Sequence, residues 1–214
     1  FCTGYADNKD GSFRESGKEI RIYQNIDEGT AFLDVTPFDN DTFQGGYDIT
    51  LFVEDLNGDG LMDLIILGDG APTPGGGTIY MNEGDLVFTP VDMETSGFLQ
   101  VRAVPTGTFA DMNHDGKLDA ALMGYTNKEG YFSGILYQRD NNTYDFGGVK
   151  EVFNAGERQG GLVIADFSND GKLDAFGVDG NASNEVAMFK NTSDFVNQAP
   201  TAPTNVVAKI EKGM

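Results

Sequence analysis

Residues 55–63 read Asp55-Leu56-Asn57-Gly58-Asp59-Gly60-Leu61-Met62-Asp63, and the same pattern occurs three times in the chain. The second copy runs from Asp111 to Asp119 and the third from Asp166 to Asp174. Each copy has oxygen-bearing side chains at positions 1, 3, 5 and 9, and a glycine at position 6 that permits a sharp turn. Oxygen ligands folded around one point suit a hard cation, so the pattern predicts a calcium loop.

The EF-hand is the main alternative, because its loop opens in the same way but needs a bidentate Glu at position 12 and a helix on either side. Position 12 is here Ile66, Leu122 or Gly177, none of which ligates through its side chain. The flanking segments, such as 49–53 and 64–67, are short apolar runs rich in β-branched residues. Runs of this kind indicate buried strands. Each loop is therefore predicted to join two strands.

The 214-residue chain is strongly acidic, with 34 acidic against 14 basic residues and a formal net charge of −20. Such a surface repels nucleic-acid phosphates and anionic membranes, so neither is expected as a partner. No apolar stretch is long enough for insertion into a membrane, which takes about 18 residues. Cys2 is the only cysteine, which excludes an intrachain disulfide. The 29 glycines suit many short strands joined by tight turns.

A second marker recurs at a spacing similar to that of the loops, which begin at residues 55, 111 and 166. In each copy an apolar pair precedes a polar turn, and an aromatic residue follows at Phe32, Phe88, Phe146 or Phe195. The four copies are Ile22-Tyr23-Gln24-Asn25, Ile79-Tyr80-Met81-Asn82, Leu136-Tyr137-Gln138-Arg139 and Met188-Phe189-Lys190-Asn191. Each unit thus reads as four antiparallel strands with a calcium loop after the first, which is the signature of a β-propeller blade.

The sequence therefore predicts an all-β chain with a partial β-propeller over residues 1–196, in units of about 1–44, 45–98, 99–157 and 158–196. Residues 197–204 read as a Pro-rich linker, and residues 205–214 as the start of another β module or a disordered tail. The segment from Phe1 to Lys9 repeats in outline the segment from Ala121 to Lys128. The chain is therefore expected to begin inside the second strand of a blade and to hold about three and a half blades.

The loop pattern between two apolar strands, with a later Tyr-x-Asn and Phe, resembles the FG-GAP/VCBS repeats of integrin-like β-propellers over roughly residues 1–196. The resemblance implies calcium loops in the first hairpin of each blade, an extracellular or cell-surface location, and a ring of seven blades. The remaining blades are expected upstream of Phe1 or from a second copy of the chain. Carried over by position, the implied calcium ligands are Asp55, Asn57, Asp59, the Leu61 carbonyl and Asp63; Asp111, Asn113, Asp115, the Lys117 carbonyl and Asp119; and Asp166, Ser168, Asp170, the Lys172 carbonyl and Asp174.

The third loop departs from this pattern, because Ser168 stands where the other two loops have Asn. A hydroxyl is a weaker ligand than an amide carbonyl, so of up to three Ca²⁺ sites the third is expected to be empty or completed by water. His114, the only histidine, lies at the non-ligating position 4, and its side chain is expected to face solvent. With one histidine, neither a Ser-His-Asp hydrolase nor a histidine-ligated zinc site is available within this chain.

Two functions of different class follow. The first is a non-catalytic, secreted or cell-surface adhesion module that binds a glycan or a protein, with calcium stiffening the blade hairpins. The second is the scaffold of a calcium-dependent carbohydrate-active enzyme such as a polysaccharide lyase, which would use carboxylates outside the loops, for example Asp39, Asp92 or Glu151. The binding module is favoured, because the repeats come without a catalytic constellation.

Overall fold

The structure is a computed structural model that describes residues 2–7, 13–26, 29–36, 47–69, 77–92, 96–98, 101–126, 130–140, 143–145, 160–178 and 186–193. These ranges contain fifteen β-strands, and the all-β prediction is confirmed. The predicted linker 197–204, the segment 205–214 and the aromatic markers Phe146 and Phe195 lie outside the described residues. The first strands form two antiparallel pairs, β1 (Cys2–Asp7) with β2 (Phe13–Arg21) and β3 (Tyr23–Ile26) with β4 (Ala31–Asp34).

The other strands form three antiparallel sheets in which each strand pairs with the next one along the chain. The first four-stranded sheet holds β5 (Tyr47–Glu54), β6 (Asp63–Asp69), β7 (Gly77–Asn82) and β8 (Phe88–Pro90). The second four-stranded sheet holds β9 (Val101–Ala110), β10 (Asp119–Thr126), β11 (Gly130–Asp140) and β12 (Thr143–Asp145). The three-stranded sheet holds β13 (Gly161–Ala165), β14 (Asp174–Val178) and β15 (Val186–Phe189). Successive four-stranded meanders of this kind are the blades of a β-propeller, and the number of blades stays a prediction.

Neighbouring sheets stack face to face. Successive residues of a strand point to opposite sides of its sheet, so one sheet can pack against a neighbour on each side. In the first four-stranded sheet, Ile65 and Leu67 of β6 share a core cluster with Ala120 and Leu122 of β10. Leu64 and Ile66, which alternate with them in β6, belong to a separate cluster on the other side of the sheet. All four side chains of the shared cluster named here have no exposed surface. This interface is therefore a dry, close-packed layer between two sheets.

The second four-stranded sheet is covered on its other side as well. Ala121 and Met123 of β10 pack with Leu162 and Ala175 of the three-stranded sheet. Because β10 contributes alternate residues to the two clusters, each of its apolar side chains has a neighbouring sheet to pack against. Such burial stabilises the fold by about 1.5–3 kcal/mol for each large apolar side chain.

The far face of the three-stranded sheet is exposed in this chain. Val163, Val186 and Met188 are 53%, 60% and 64% exposed. Met188 pairs with Phe176, just as Ile79 pairs with Ile65 in the first four-stranded sheet. Met188 and Ile79 are therefore equivalent positions. Ile79 has no exposed surface, because the next sheet covers that side. The face that is buried in the two preceding sheets is therefore exposed in the three-stranded sheet.

The strand register corrects the second marker in one unit. Leu64 directly follows the loop aspartate Asp63 and pairs with Tyr80, whereas Ala120, at the same place after Asp119, pairs with Leu136. Matching Tyr137 to Tyr80 by residue type was therefore wrong by one residue. Because a shift of one residue moves a side chain to the opposite face, Tyr137 faces the three-stranded sheet. The residue of this unit equivalent to Asn82 is Gln138.

Candidate functional site

The three Asp-rich segments are the hairpin connections of their sheets, as predicted. Loop 1 (residues 55–63) joins β5 to β6, loop 2 (residues 111–119) joins β9 to β10, and loop 3 (residues 166–174) joins β13 to β14. Position 9 of each loop is the first residue of the second strand and pairs with the last residue of the first: Glu54 with Asp63, Ala110 with Asp119, and Ala165 with Asp174. The sequence pattern therefore marks the same structural element three times.

The aspartate at position 1 folds each loop around its own carboxylate. In loop 1, Asp55 Oδ1 accepts hydrogen bonds from the backbone N–H groups of Gly58 (2.8 Å) and Asp59 (3.0 Å), and its Oδ2 accepts one from Gly60 (2.9 Å). The contacts to positions 5 and 6 recur in loop 2 at 3.0 and 2.9 Å and in loop 3 at 3.1 and 2.9 Å. A carboxylate is well suited to this place, because it accepts several N–H groups at once.

Positions 3 and 5 of loop 1 continue the network. Asn57 Oδ1 accepts from the Asp59 N–H at 3.0 Å, and Asp59 Oδ1 accepts from the Leu61 N–H at 2.8 Å. The Asn57 amide also donates to Asp59 Oδ2 over 2.9 Å. These short-range bonds are typical of Asn and Asp in turns. They bring the side chains of positions 1, 3 and 5 to one side of the loop.

The backbone is left-handed at two positions of each loop, and the sequence pattern indicated only position 6, the glycine. Position 4 is also left-handed in every loop, with φ of 75° at Gly58, 59° at His114 and 54° at Asn169. Gly and Asn adopt this conformation readily, which is the signal that could have found it. The expectation that His114 faces solvent, drawn from its non-ligating position, was wrong. The ring is half-buried, and its Nε2 is enclosed without a hydrogen-bond partner in the described part of the chain.

Position 9 has a role that the sequence pattern did not reveal. Asp63 has no exposed surface, and its carboxylate accepts from the N–H of Leu56 in loop 1 and from the N–H of Asn82 in β7, both at 2.8 Å. Asp119 does the same with Met112 and Gln138, both at 2.9 Å. The buried aspartate therefore ties its loop to the third strand of the sheet.

Loop 3 follows the same plan with one change. Asp174 is 2% exposed and accepts from the N–H of Asn191 at 2.8 Å, but its loop donor is Ser168 (2.9 Å), one position later than Leu56 or Met112 in their loops. Burial raises the pKa of Asp174, but the hydrogen bonds from Asn191 and Ser168 outweigh it, and the pKa is lowered.

Burial has the opposite outcome at the other two buried aspartates. It raises the pKa of Asp63 and raises that of Asp119 to about 6. The backbone hydrogen bonds to Asp119 oppose the shift, whereas the neighbouring charges of Asp115 and Asp111 add to it. The carboxylates of one loop therefore repel one another, and a cation bound between them would relieve that repulsion.

The donor chemistry of the loops fits Ca²⁺, because all proposed ligands are oxygen atoms. Asp63 uses two of the roughly four acceptor sites of a carboxylate, so lone pairs remain for an ion. The structure brings positions 1, 3 and 5 together, while position 9 points into the sheet. Among the described residues, no three Asp, Glu, His or Cys side chains converge as a preformed metal cluster. Calcium binding by the fifteen residues named from the sequence stays a prediction.

Lysines already contact the carboxylates of two loops. Lys117 Nζ lies 3.2 Å from Asp115 Oδ2 in loop 2, and Lys190 Nζ lies 3.1 Å from Asp170 Oδ2 in loop 3. Lys190 lowers the pKa of Asp170 through that hydrogen bond. In the part of the chain described here, no lysine or arginine pairs with Asp59 of loop 1. Of the three loops, loop 1 is thus the one for which the described residues show no lysine at the position-5 carboxylate.

Comparison with known proteins identifies the repeat. The profile of the FG-GAP-like repeat family matches residues 55–122, from the first residue of loop 1 into β10. The chain contains an FG-GAP-like repeat. The match includes loops 1 and 2, strands β6 to β9 and the first residues of β10. The resemblance seen in the sequence is therefore confirmed over those residues. No curated protein matches the chain.

The solved structures similar to this chain include a lectin from Agrocybe aegerita described as recognising non-reducing terminal N-acetylglucosamine. The identity is 24% and the TM-score 0.40, over 73% of this chain and 40% of the lectin, so the chain spans less than half of that structure. Within the described residues, no helix has the length and hydropathy needed to cross a membrane.

Proposed function

We propose that this FG-GAP-like chain is a non-catalytic binding module, secreted or displayed at a cell surface, that adheres to a glycan or protein ligand and is stiffened by Ca²⁺. The observation that carries the proposal is the threefold recurrence of one loop geometry: a position-1 carboxylate that holds the turn and a position-9 carboxylate buried against the third strand. A repeated structural site supports a scaffold role rather than a single reaction centre.

Calcium would act on the loops by neutralising carboxylates that repel one another. Asp55, Asn57, Asp59 and Asp63 would hold the ion in loop 1 with the carbonyl of Leu61, and the equivalent residues would hold it in loops 2 and 3. Extracellular modules bind Ca²⁺ with Kd of about 10⁻⁴ to 10⁻³ M. At a tenfold excess over Kd, each site would stabilise the fold by about 1.4 kcal/mol.

The uncovered face of the three-stranded sheet supports a further partner. In the two preceding sheets the same face is buried by the next sheet, so we expect Val163, Val186 and Met188 to pack against another sheet. That sheet would come from further propeller blades or from a second copy of the chain.

Calorimetric titration of the metal-free protein with Ca²⁺ tests the metal part of the proposal. We expect Ca²⁺ to bind at loops 1 and 2. Changing Asp55 and Asp59 to Ala should abolish binding at loop 1. Glu83→Gln, at an exposed site outside the loops, should leave binding unaffected. Absence of any Ca²⁺ binding at millimolar concentration would contradict it. A glycan array read with and without Ca²⁺ tests the ligand.

The enzymatic alternative is tested on the same glycans. Of the example carboxylates outside the loops, Asp92 is exposed, and Asp39 and Glu151 lie outside the described residues. Accumulation of cleaved, unsaturated product from an acidic polysaccharide would overturn the non-catalytic proposal. Binding without product supports it.

A further inference from the structure

A cleft of about 300 Å³ lies between the second four-stranded sheet and the three-stranded sheet. Its walls are formed by Met112 of loop 2, Ile135 and Tyr137 of β11, and Phe189 of β15. Its rim includes Asn191 and Ser193, which follow β15. A volume of this size is at the lower end of small-molecule sites, which are mostly apolar with a few polar groups.

One side chain at the cleft is shorter than its counterpart in the preceding interface. Gln138 Nε2 donates to the carbonyl oxygen of Leu56 over 3.0 Å, across the interface between the two four-stranded sheets. Asn191 occupies the place of Gln138, since the backbone N–H of each binds the buried aspartate of its own loop. Asn191 has one methylene fewer, and its Oδ1 accepts from the Ser193 N–H at 3.0 Å instead. The space beside Gln138 measures about 140 Å³, less than half of the cleft.

The polar groups on the rim are hydroxyls and an amide. The Oγ of Ser193 is buried and has no hydrogen-bond partner in the described part of the chain. A buried hydroxyl without a partner is unfavourable, and a hydrogen bond to a ligand hydroxyl in the cleft would remove that penalty. Asn191 and Thr192 lie beside it. The rim is thus ready to exchange neutral hydrogen bonds with a ligand.

The charged groups near the cleft are already paired. Lys190 Nζ contacts Asp170 Oδ2 at 3.1 Å, and Lys172 Nζ donates to the carbonyl oxygen of Ser193. Neither ammonium is therefore available as the main contact of an anionic ligand, and the net charge of −20 repels one. A neutral ligand is favoured.

From this combination we propose that the cleft binds one neutral sugar residue of a glycan, with its C–H face against Tyr137 and Phe189 and its hydroxyls towards Ser193 and Asn191. The size of the cleft admits a single residue, so the site takes a chain end or a branch. This inference rests on the proposed function as a glycan-binding module and specifies where and how the glycan is held.

The test uses the calcium-loaded full chain and a panel of methyl glycosides of neutral hexoses and N-acetylhexosamines, with binding measured by ligand-observed NMR and titration. Asn191→Gln should extend the amide towards Met112, in the manner of Gln138, and close the cleft. Ser193→Ala removes the unpaired hydroxyl. We expect each variant to weaken binding at least tenfold, with a melting temperature close to that of the parent chain. Thr89→Ala, at an exposed site on β8, is the matched control and should bind as the parent does.

The outcomes separate this inference from the proposed function. Equal binding by the parent chain, Asn191→Gln and Ser193→Ala would overturn the cleft as the sugar site while leaving glycan binding in place. If no glycoside of the panel binds the parent chain, the inference fails. A negative glycan array in addition would remove the glycan part of the proposed function.

Discussion

The side-chain amide of Gln138 donates a hydrogen bond to the carbonyl oxygen of Leu56 over 3.0 Å, and so connects β11 of one sheet to loop 1 of its neighbour. Both residues are buried, at 2% and 3% exposure. The backbone N–H of Gln138 also binds Asp119, which closes loop 2. Two successive loops are therefore linked through one residue, and changes in one loop are expected to affect the next.

Shortening Gln138 tests this link. Gln138→Asn should lower the free energy of unfolding by about 1–3 kcal/mol, because the shorter amide leaves the buried Leu56 carbonyl without its donor. Urea denaturation measures the change. Gln24→Asn makes the same chemical change at an exposed site in β3 and should have little effect. Equal stability of the two variants would contradict a structural role for the link.

The buried aspartates should matter more to folding than the exposed ones. Asp63→Asn is expected to lower the free energy of unfolding by about 2–4 kcal/mol without calcium, since an amide nitrogen would then face the N–H of Leu56 or Asn82. Asp59→Asn, an exposed change of the same chemistry in the same loop, should cost less than about 1 kcal/mol. Chemical denaturation in metal-free buffer compares them. A larger loss at Asp59 would show that position 9 is not the structural aspartate.

Stability without calcium should depend on pH through Asp119. Its pKa is about 6 in the folded chain, above the ordinary value of 3.8, so the folded state binds more protons than the unfolded state between these values. The free energy of unfolding should therefore rise as the pH falls from about 7 to about 5.

Melting temperatures of metal-free protein across that range measure the effect. Asp119→Asn removes this titration and should flatten the dependence, and Ca²⁺, which binds the charged form, should stabilise more at the higher pH. An unchanged slope in Asp119→Asn would exclude Asp119 as its source.

Lys190 should compete with calcium at loop 3. Replacing it with Gln removes the ammonium group that contacts Asp170, so the affinity of loop 3 for Ca²⁺ should rise several-fold. The titration is best done in a background of Asp55→Ala and Asp111→Ala, which isolates loop 3. Lys117→Gln, within loop 2, is the control and should leave loop 3 unchanged. No gain in affinity would show that Ser168, rather than the lysine, limits the third site.

The exposed face of the three-stranded sheet should tolerate truncation. Met188→Ala is expected to change the free energy of unfolding by about 0.5 kcal/mol or less, because its side chain is 64% exposed. Ile79→Ala, at the same register in the first four-stranded sheet, should cost about 2–5 kcal/mol. Thermal or urea unfolding compares the pair. A large loss at Met188 would mean that this face is already covered in solution.

Much of the fold was predictable from local patterns. The nine residues from Asp55 to Asp63 specify a turn through side-chain bonds that span five residues or fewer, and alternating apolar runs specify the strands on either side. Both signals lie within a few residues of each other, so three copies of the loop, the all-β class and the FG-GAP-like repeat were evident without coordinates.

Relations between distant residues were decided only by the tertiary structure. The one-residue correction at Tyr137, the burial of Asp63 against Asn82 and the bond from Gln138 to Leu56 each depend on how one strand or sheet is aligned with another. The open cleft beside Asn191 depends on the same alignment. A strand pattern specifies which residues alternate, but the faces they meet are set by the register and packing of sheets, since the energy of those contacts exists only when both partners are in place.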